Sequence, residues 1–192
     1  GDRKIEPAIF GRGQELIPVM ARQVVKSVFN FDSVGLMRIA DEMNSEALKD
    51  SPLTYGGAIN QSRRRIESEI KRVQKKMEAG AEFFLTQPVF TAEDAERLRR
   101  VKEETGARIL CGIMPLVSRK NALFMKNEIS GVNVTDEVIE RYPETADRDD
   151  GENVGVELAK EMIAATRDFA DGYYFSFPFN RTYLLKRIIQ EV

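Results

Sequence analysis

Short apolar runs alternate along this chain with longer stretches in which apolar residues recur at helical spacing. The clearest run covers residues 82–86, with Phe-Phe-Leu at its centre, and is followed directly by Gln87 and Pro88. Aromatic side chains favour strands, whereas proline cannot continue a sheet ladder. The pattern predicts a short strand that ends in polar groups at its carboxyl edge, where ligands bind in parallel α/β sheets.

An amphipathic helix is predicted immediately before that strand, over residues 63–79. Its apolar positions, which share one face of a helix with 3.6 residues per turn, are Ile66, Ile70, Val73 and Met77. The remaining faces are mostly charged, and Gly80 suits a helix C-terminus. The helix and the strand after it form one unit of an alternating α/β fold.

The same signals predict the other elements of the chain. Further strands are expected near residues 55–59, 108–114 and 173–177. Further helices are expected over residues 19–43 with a break at 31–33, and over 91–106, 118–125, 135–142, 153–169 and 181–190. The predicted helix N-caps are Asp32 or Ser33, Thr91, Ser118 and Asn180. Residues 1–18 have weak periodicity and are predicted to be a loop or disordered.

Strands and helices alternate from residue 55 onward, which favours a parallel sheet with right-handed crossovers. Several strands end similarly, at Gln87-Pro88, Pro115-Leu116 and Pro178-Phe179. Such repeated exits are typical of the rim of a (β/α) barrel. A complete barrel needs eight strands and about 250 residues. The four predicted strands therefore indicate half of a barrel or a fragment of one.

Composition excludes several classes of protein. A length of 192 residues suffices for one domain with a core, and a formal charge of −2 gives no basis for binding nucleic acid or an acidic membrane. No apolar run approaches the roughly 20 residues of a membrane span, and no signal peptide is visible. Cys111 is the only cysteine, so we expect no intrachain disulfide and a reducing, cytoplasmic location.

Histidine is absent from the chain. Its absence removes the usual general base of nucleophilic triads and the commonest metal ligand. We therefore expect no metal site and no histidine-based hydrolytic chemistry.

Five segments together resemble a known family. They are residues 31–36 (Phe-Asp-Ser-Val-Gly-Leu), 79–88 (Ala-Gly-Ala-Glu-Phe-Phe-Leu-Thr-Gln-Pro), 112–118 (Gly-Ile-Met-Pro-Leu-Val-Ser), 129–141 and 178–181 (Pro-Phe-Asn-Arg). In this order they resemble the C-terminal part of the methylenetetrahydrofolate reductases, most closely the bacterial branch fused to a homocysteine S-methyltransferase. Each segment alone is a weak signal, and the combination is specific.

The resemblance implies a (β/α)8 TIM barrel of which only the C-terminal half, about four βα units, is present in residues 1–192. It also implies FAD-dependent reduction of 5,10-methylenetetrahydrofolate to 5-methyltetrahydrofolate by NAD(P)H, within one-carbon metabolism and methionine biosynthesis. The family's general acid is a glutamate at the end of the first barrel strand. That residue has no counterpart here, because the first three strands are not in this chain.

Cofactor contacts follow from the same resemblance. Gly1-Asp2 resembles the end of the family's fourth strand, where the aspartate lies near the flavin ring, so Asp2 is the candidate catalytic residue and a cofactor contact. Asn60 falls at the fifth-strand exit, beside the ribityl and phosphate region. The helix positions that contact polar parts of the cofactor correspond to Glu69, Arg72, Lys75 and Lys76.

Substrate contacts implied by the resemblance lie later in the chain. Gln87 matches the strand-end glutamine that hydrogen-bonds the pterin of folate. Ser118 and Arg119 fall in the loop that covers the substrate, and Arg181 matches the arginine after the last strand.

Simpler interpretations remain open for several of these residues. Lys75 and Lys76 could form a solvated helix face, and Glu69 could pair with Arg72 three residues away. Gln87 could be a loop amide satisfied within the chain. The basic run at residues 63–65 stands at a helix N-terminus, which suits a solvated turn or an anionic partner such as a cofactor phosphate.

Two residue groups are predicted to be structural. Cys111 is expected to be a small core residue. The phenylalanines around the last strand, Phe175, Phe177 and Phe179, are expected to be core residues with one aromatic at the rim.

Two functions from different classes follow from these observations. The first is a flavoenzyme of folate metabolism. The alternative is a non-catalytic half-barrel, or a divergent relative, that acts as a binding module. In either case we expect homo-oligomers or association with the missing barrel half, since half a barrel leaves two strand edges open.

Overall fold

Four strands form one parallel sheet in the computed structural model, which describes residues 31–144 and 147–190. The strands are β1 (Gly56–Ile59), β2 (Phe83–Pro88), β3 (Ile109–Ile113) and β4 (Gly172–Phe175). Their order in the sheet is β1-β2-β3-β4, and each neighbouring pair is parallel. The prediction of parallel strands in sequence order is confirmed.

Helices connect these strands. Their bounds are α1 (Ser33–Ser45), α2 (Ile66–Glu78), α3 (Ala92–Thr105), α4 (Arg119–Glu128), α5 (Asp136–Glu140), α6 (Arg148–Thr166) and α7 (Leu184–Ile189). A 3-10 turn, Pro178–Asn180, precedes α7. Residues 1–18, and residues 19–30 of the first predicted helix, lie outside the described residues.

Side-chain caps define the start of three predicted helices. Asp32, Thr91 and Ser118 each accept a hydrogen bond from the backbone N–H three residues later. At the other end of α3, Gly106 has a φ of 68°, a left-handed conformation that suits glycine. These signals were readable in the sequence because capping depends on local residue types.

The last helix differs from the prediction. It begins at Leu184 rather than at residue 181, and Asn180 is not its cap. Phe179 and Asn180 have φ angles of 55° and 58°, so the chain turns sharply after Pro178. The exposed ring of Phe179 is the rim aromatic that was expected.

Helix α6 begins five residues earlier than predicted, and two glycines explain why its first turns were missed. Gly151 and Gly155 lie one turn apart, and polar residues surround them in the sequence. A Cβ at Gly151 would lie 2.3 Å from the carbonyl oxygen of Val117, and one at Gly155 would lie 1.9 Å from that of Leu116. The glycines therefore allow α6 to pack directly on the backbone that follows β3.

The core lies between one face of the sheet and helices α2, α3 and α6. The strands contribute the buried residues Ile59, Phe84, Ile109, Cys111 and Ile113, and the helices contribute Ile70, Val73, Leu98 and Ile163. Cys111 is a core residue as predicted, and its burial raises the pKa of the thiol to about 12. It therefore stays a neutral thiol near pH 7.

The opposite face of the sheet is only half-buried. Alternation along the strands places Phe83, Leu85, Leu110 and Tyr174 there. Sequential strand order with right-handed crossovers puts the helices on one face, as in a barrel wall. A doubly wound sheet instead carries helices on both faces.

Candidate functional site

All four strand exits lie along one edge of the sheet, because the strands are parallel. Asn60 follows β1, Gln87 lies at the end of β2, Ser118 follows β3 and Arg181 follows β4. Four residues predicted as cofactor or substrate contacts are thus brought to the carboxyl edge.

A buried glutamine fixes the exit of β2. Gln61 is fully buried, and its Nε2 donates to the carbonyl oxygens of Gln87 at 3.0 Å and Pro88 at 3.3 Å. Its Oε1 accepts from the backbone N–H of Gln87 at 3.1 Å. The amide therefore satisfies both polar backbone atoms of Gln87. Sequence reasoning missed this role, and the only available signal was a polar residue directly after a strand.

A second contact shapes the junction of β2, β3 and β4. The backbone N–H of Gly112 donates to the side-chain oxygen of Thr86 at 2.9 Å, and the Tyr174 hydroxyl donates to the Thr86 carbonyl at 2.5 Å. Burial raises the pKa of Tyr174 to about 12, so the hydroxyl remains a donor at neutral pH. A Cβ at residue 112 would lie 2.5 Å from the Tyr174 oxygen, so any larger residue would require the tyrosine side chain to move.

The Gln87 side chain shares the half-buried face of the sheet with Phe83 and Leu85. No hydrogen bond joins its amide to another residue among those that the structure describes. The alternative of a loop amide satisfied within the chain therefore has no support from these residues. The pterin contact stays a prediction.

A buried carboxylate organises the exit of β1. Glu69 accepts from the backbone N–H of Asn60 at 2.9 Å, and its other oxygen lies 3.0 Å from Nε of Arg63 and 3.8 Å from Nε of Arg72. The Asn60 side chain accepts from the backbone N–H of Ser62 at 3.1 Å. The pairing of Glu69 with Arg72, which was the simpler interpretation left open, is present, but Glu69 is buried rather than on the helix surface.

The two lysines of α2 have different surroundings. Lys76 is buried, and its Nζ donates to the Ala58 carbonyl of β1 at 2.6 Å. Lys75 is exposed. The solvated-face interpretation is therefore wrong for Lys76 and holds for Lys75. Their contact with a cofactor stays a prediction.

Ser118 and Arg119 have structural contacts at the start of α4. Ser118 is the helix cap, and Nη1 of Arg119 donates to the carbonyl oxygens of Ile139 at 3.1 Å and Tyr142 at 3.4 Å. Arg119 thus ties α4 to the end of α5. Their role in covering a substrate stays a prediction.

Asp94 is a buried acid that connects three loops near the same edge. Its carboxylate accepts hydrogen bonds from Ser62 at 3.4 Å, from the Phe90 backbone at 3.4 Å and from Asn133 at 3.5 Å. Burial raises its pKa, which these hydrogen bonds counteract in part.

Arg181 lies beside a buried carboxylate after β4. Its Nε is 3.2 Å from Oε1 of Glu152, and its guanidinium carbon is 5.6 Å from the centre of the Phe179 ring. Burial works to raise the pKa of Glu152, but hydrogen bonds from Tyr183 and Arg148 and nearby positive charge lower it overall. Glu152 was not among the predicted site residues, because it lies just before residue 153, where the sequence predicts the helix to begin.

Comparison with known proteins identifies the family. The sequence profile described as methylenetetrahydrofolate reductase matches residues 51–191. The chain belongs to the methylenetetrahydrofolate reductase family. The resemblance stated from the sequence motifs is thereby confirmed at the level of the family.

A solved structure shares the fold of this reductase-family chain. It is an uncharacterized protein from Clostridium thermocellum that binds two copies of 5-methyl-5,6,7,8-tetrahydrofolic acid. The TM-score is 0.63 and the identity is 19%, and the match covers 86% of this chain but only 59% of that one. The likeness therefore supports the α/β fold, and the present chain spans little more than half of that protein. A search of curated proteins found no match.

The predicted site residues differ in where they lie in the structure. Asp2 lies outside the described residues. Asn60, Gln87, Ser118 and Arg181 stand at strand exits, and Ser118 and Arg119 also form hydrogen bonds at the start of α4. None of the described helices is long and apolar enough to span a bilayer.

Proposed function

We propose that this chain takes part in the FAD-dependent reduction of 5,10-methylenetetrahydrofolate to 5-methyltetrahydrofolate, with NAD(P)H as the electron donor. Membership of the reductase family and a similarly folded protein that binds a methylated folate support this proposal. The observation that carries it is Gln87, whose backbone is fixed at the carboxyl edge by Gln61 while its side-chain amide forms no bond among the described residues.

An amide suits recognition of a pterin. It donates and accepts hydrogen bonds at once, and the pterin edge offers a carbonyl beside ring and exocyclic N–H groups. Gln61 hydrogen-bonds both the N–H and the carbonyl of Gln87, so the Gln87 backbone is fixed. Only the side-chain torsions of Gln87 remain to be ordered when its amide binds a ligand. Such pre-organisation lowers the entropic cost of binding.

The residues around Asn60 fit the polar part of a flavin dinucleotide. Two guanidiniums, those of Arg63 and Arg72, lie beside the carboxylate of Glu69 at the exit of β1. Arginine suits phosphate oxygens because its N–H groups form a rigid fork. Asn60, Arg63 and Arg72 would hold the phosphates and ribityl chain, with Glu69 fixing the two arginines. When bound, FAD supplies the hydride-transfer chemistry.

Arg181 and Phe179 complete the proposed substrate side of the edge. Phe179 is 73% exposed and lies beside the Arg181 guanidinium. A planar ring with an adjacent cation suits an extended aromatic ligand that carries negative charge. We assign Arg181 to the substrate and leave the catalytic role of Asp2 as a prediction.

The half-buried sheet face supports the alternative of a binding module. Phe83, Leu85 and Leu110 lie on that face and are neither fully buried nor fully exposed. Association with another copy, or with the rest of a barrel, would bury them. Sedimentation tests this: a monomer at micromolar concentration that binds no apolar dye would contradict it.

The single, buried cysteine is compatible with the cytoplasmic location that we propose.

An absorbance scan of the purified protein tests the flavoenzyme proposal. We expect flavin bands that persist through gel filtration, and titratable binding of 5-methyltetrahydrofolate. A colourless protein that takes up neither added FAD nor the folate would refute the proposal and favour the binding module.

Arg72→Gln should weaken FAD binding, and Lys71→Gln, at an exposed position one residue away, is the matched control.

A further inference from the structure

A cleft of about 440 Å³ lies between the first turns of α6 and helix α7. Its lining residues are Arg148, Asp149, Glu152, Asn153, Tyr183 and Arg187. Both helices begin at the carboxyl edge, since each runs antiparallel to its neighbouring strand in this winding. Helix α7 follows β4, which lies two strands away from β2 in the sheet. The cleft is therefore separate from the exit of β2 at Gln87.

Three guanidiniums converge on the carboxylate of Glu152: those of Arg148 and Arg187, which line the cleft, and that of Arg181 beside it. Oε1 of Glu152 lies 3.0 Å from Nε of Arg148 and 3.2 Å from Nε of Arg181, and Oε2 lies 3.9 Å from Nη1 of Arg187. The Tyr183 hydroxyl also donates to Glu152 at 2.5 Å. Glu152 is buried beneath the three arginine side chains and supplies one negative charge against their three positive charges.

The cations keep hydrogen-bonding capacity beyond Glu152. Each guanidinium has five N–H groups. Arg148 also donates to the Tyr183 hydroxyl, and Arg187 donates to the Asn153 side chain. The N-terminus of α6, a helix of 19 residues, adds a partial positive charge. Asp149 lines the cleft as well and opposes this charge in part.

We propose that this cleft is an oxyanion-binding site for a carboxylate or phosphate group. Arg148 and Arg187 are its direct donors, and Glu152 is the positioning residue that holds them together with Arg181. A glutamate tail of a folate and a phosphate group offer the same chemistry. The glutamate source rests on the proposed function, whereas the oxyanion site itself does not.

Titration of the full chain with inorganic phosphate at low ionic strength tests the site. Arginine Nε–Hε resonances of the wild type should shift saturably for Arg148, Arg181 and Arg187. The Arg148→Gln/Arg187→Gln variant should bind phosphate about tenfold more weakly, the loss expected for charge-assisted hydrogen bonds at half-exposed groups. The Lys49→Gln/Lys71→Gln variant removes the same charge from exposed positions that lie on neither α6 nor α7, and it should bind as the wild type does.

Two results would overturn the proposal: no saturable shift of the three arginine resonances, or equal weakening in both double variants. The wild-type spectra decide this even if one variant folds poorly. A second titration compares 5-methyltetrahydrofolate carrying one glutamate with the same folate carrying three.

The folate titration identifies the source of the oxyanion. A preference for three glutamates that disappears in Arg148→Gln/Arg187→Gln supports the site and assigns it to the folate tail. Phosphate binding without that preference supports the site and assigns it to a phosphate group. Phosphate binding without any folate binding supports the site while contradicting the proposed function.

Discussion

The side-chain amide of Gln61 hydrogen-bonds both polar backbone atoms of Gln87, at 3.0 and 3.1 Å. In a sheet, a neighbouring strand hydrogen-bonds the backbone N–H and carbonyl of a residue in the same way. The Gln61 side chain therefore takes the place of a neighbouring strand at the point where β2 leaves the sheet. The contact joins residues 26 positions apart and connects the exits of β1 and β2. It gives the candidate pterin contact a fixed backbone.

Replacing Gln61 tests this contact. Gln61→Leu keeps the volume approximately but leaves the Gln87 N–H and the Pro88 carbonyl without their side-chain partner, whereas the Gln87 carbonyl keeps its hydrogen bond from the Thr86 hydroxyl at 2.7 Å. We expect the free energy of unfolding to fall by about 1–3 kcal/mol, the cost of unsatisfied buried polar groups. Urea denaturation measures the change, and Gln74→Leu, at an exposed position on α2, is the control. Equal stability of Gln61→Leu and the wild type would contradict the assigned role.

Local signals in the sequence were sufficient for the strands and most helix starts. Thr91 and Ser118 cap helices as predicted, because a cap needs only its own side chain and a nearby backbone N–H. The strand order also followed, because alternation with helices restricts connections to right-handed crossovers. The start of α6 did not follow, because Gly155 packs against Leu116, which is distant in the sequence.

The candidate site was predictable only at the strand exits. Gln87 and Asn60 follow apolar runs, which places them at the carboxyl edge of any parallel sheet. The partners Gln61 and Glu152 could not be found from local patterns, because each acts through residues on other elements. Arg119 has contacts that its motif did not predict: its guanidinium donates to the carbonyl oxygens of Ile139 in α5 and of Tyr142 just after it, while its role toward a substrate stays a prediction.

A glycine on α6 offers a direct test of the packing on β3. Gly155→Ala would place a Cβ 1.9 Å from the Leu116 carbonyl oxygen, and a backbone atom cannot move as easily as a side chain. We expect a loss of about 1–3 kcal/mol or more in the free energy of unfolding. Gly35→Ala on α1 meets no atom closer than 3.3 Å and should be neutral or slightly stabilising. Thermal unfolding of both variants decides it; equal melting temperatures would contradict the packing.

Glu152 should make stability depend on pH. Its pKa in the folded state lies below the ordinary value of 4.5, so the ionised form stabilises the fold fully above that value. The contribution disappears as the pH falls through the folded-state pKa. Glu152→Gln should therefore cost about 1–3 kcal/mol at neutral pH, and the difference from the wild type should shrink as the pH falls from neutral through 4.5 and below.

Urea denaturation across this pH range measures the Glu152 effect. Glu157→Gln removes the same charge from an exposed position on α6 and is the control. A difference between Glu152→Gln and the wild type that stays constant with pH would mean that shape, rather than charge, accounts for the loss.

Gln87→Ala separates the proposed substrate contact from the cofactor contacts. The substitution removes the amide but leaves the backbone bonds to Gln61 intact, so the fold should be retained. Loss of one buried hydrogen-bond partner costs about 1–3 kcal/mol, so the affinity for 5-methyltetrahydrofolate should fall about 5- to 150-fold. FAD affinity should barely change, because Asn60, Arg63 and Arg72 lie at the exit of another strand. Calorimetric titration of FAD and of 5-methyltetrahydrofolate into the wild type and the variant measures both affinities. If FAD affinity falls together with folate affinity, or if neither changes, Gln87 supports the sheet edge and does not contact the substrate.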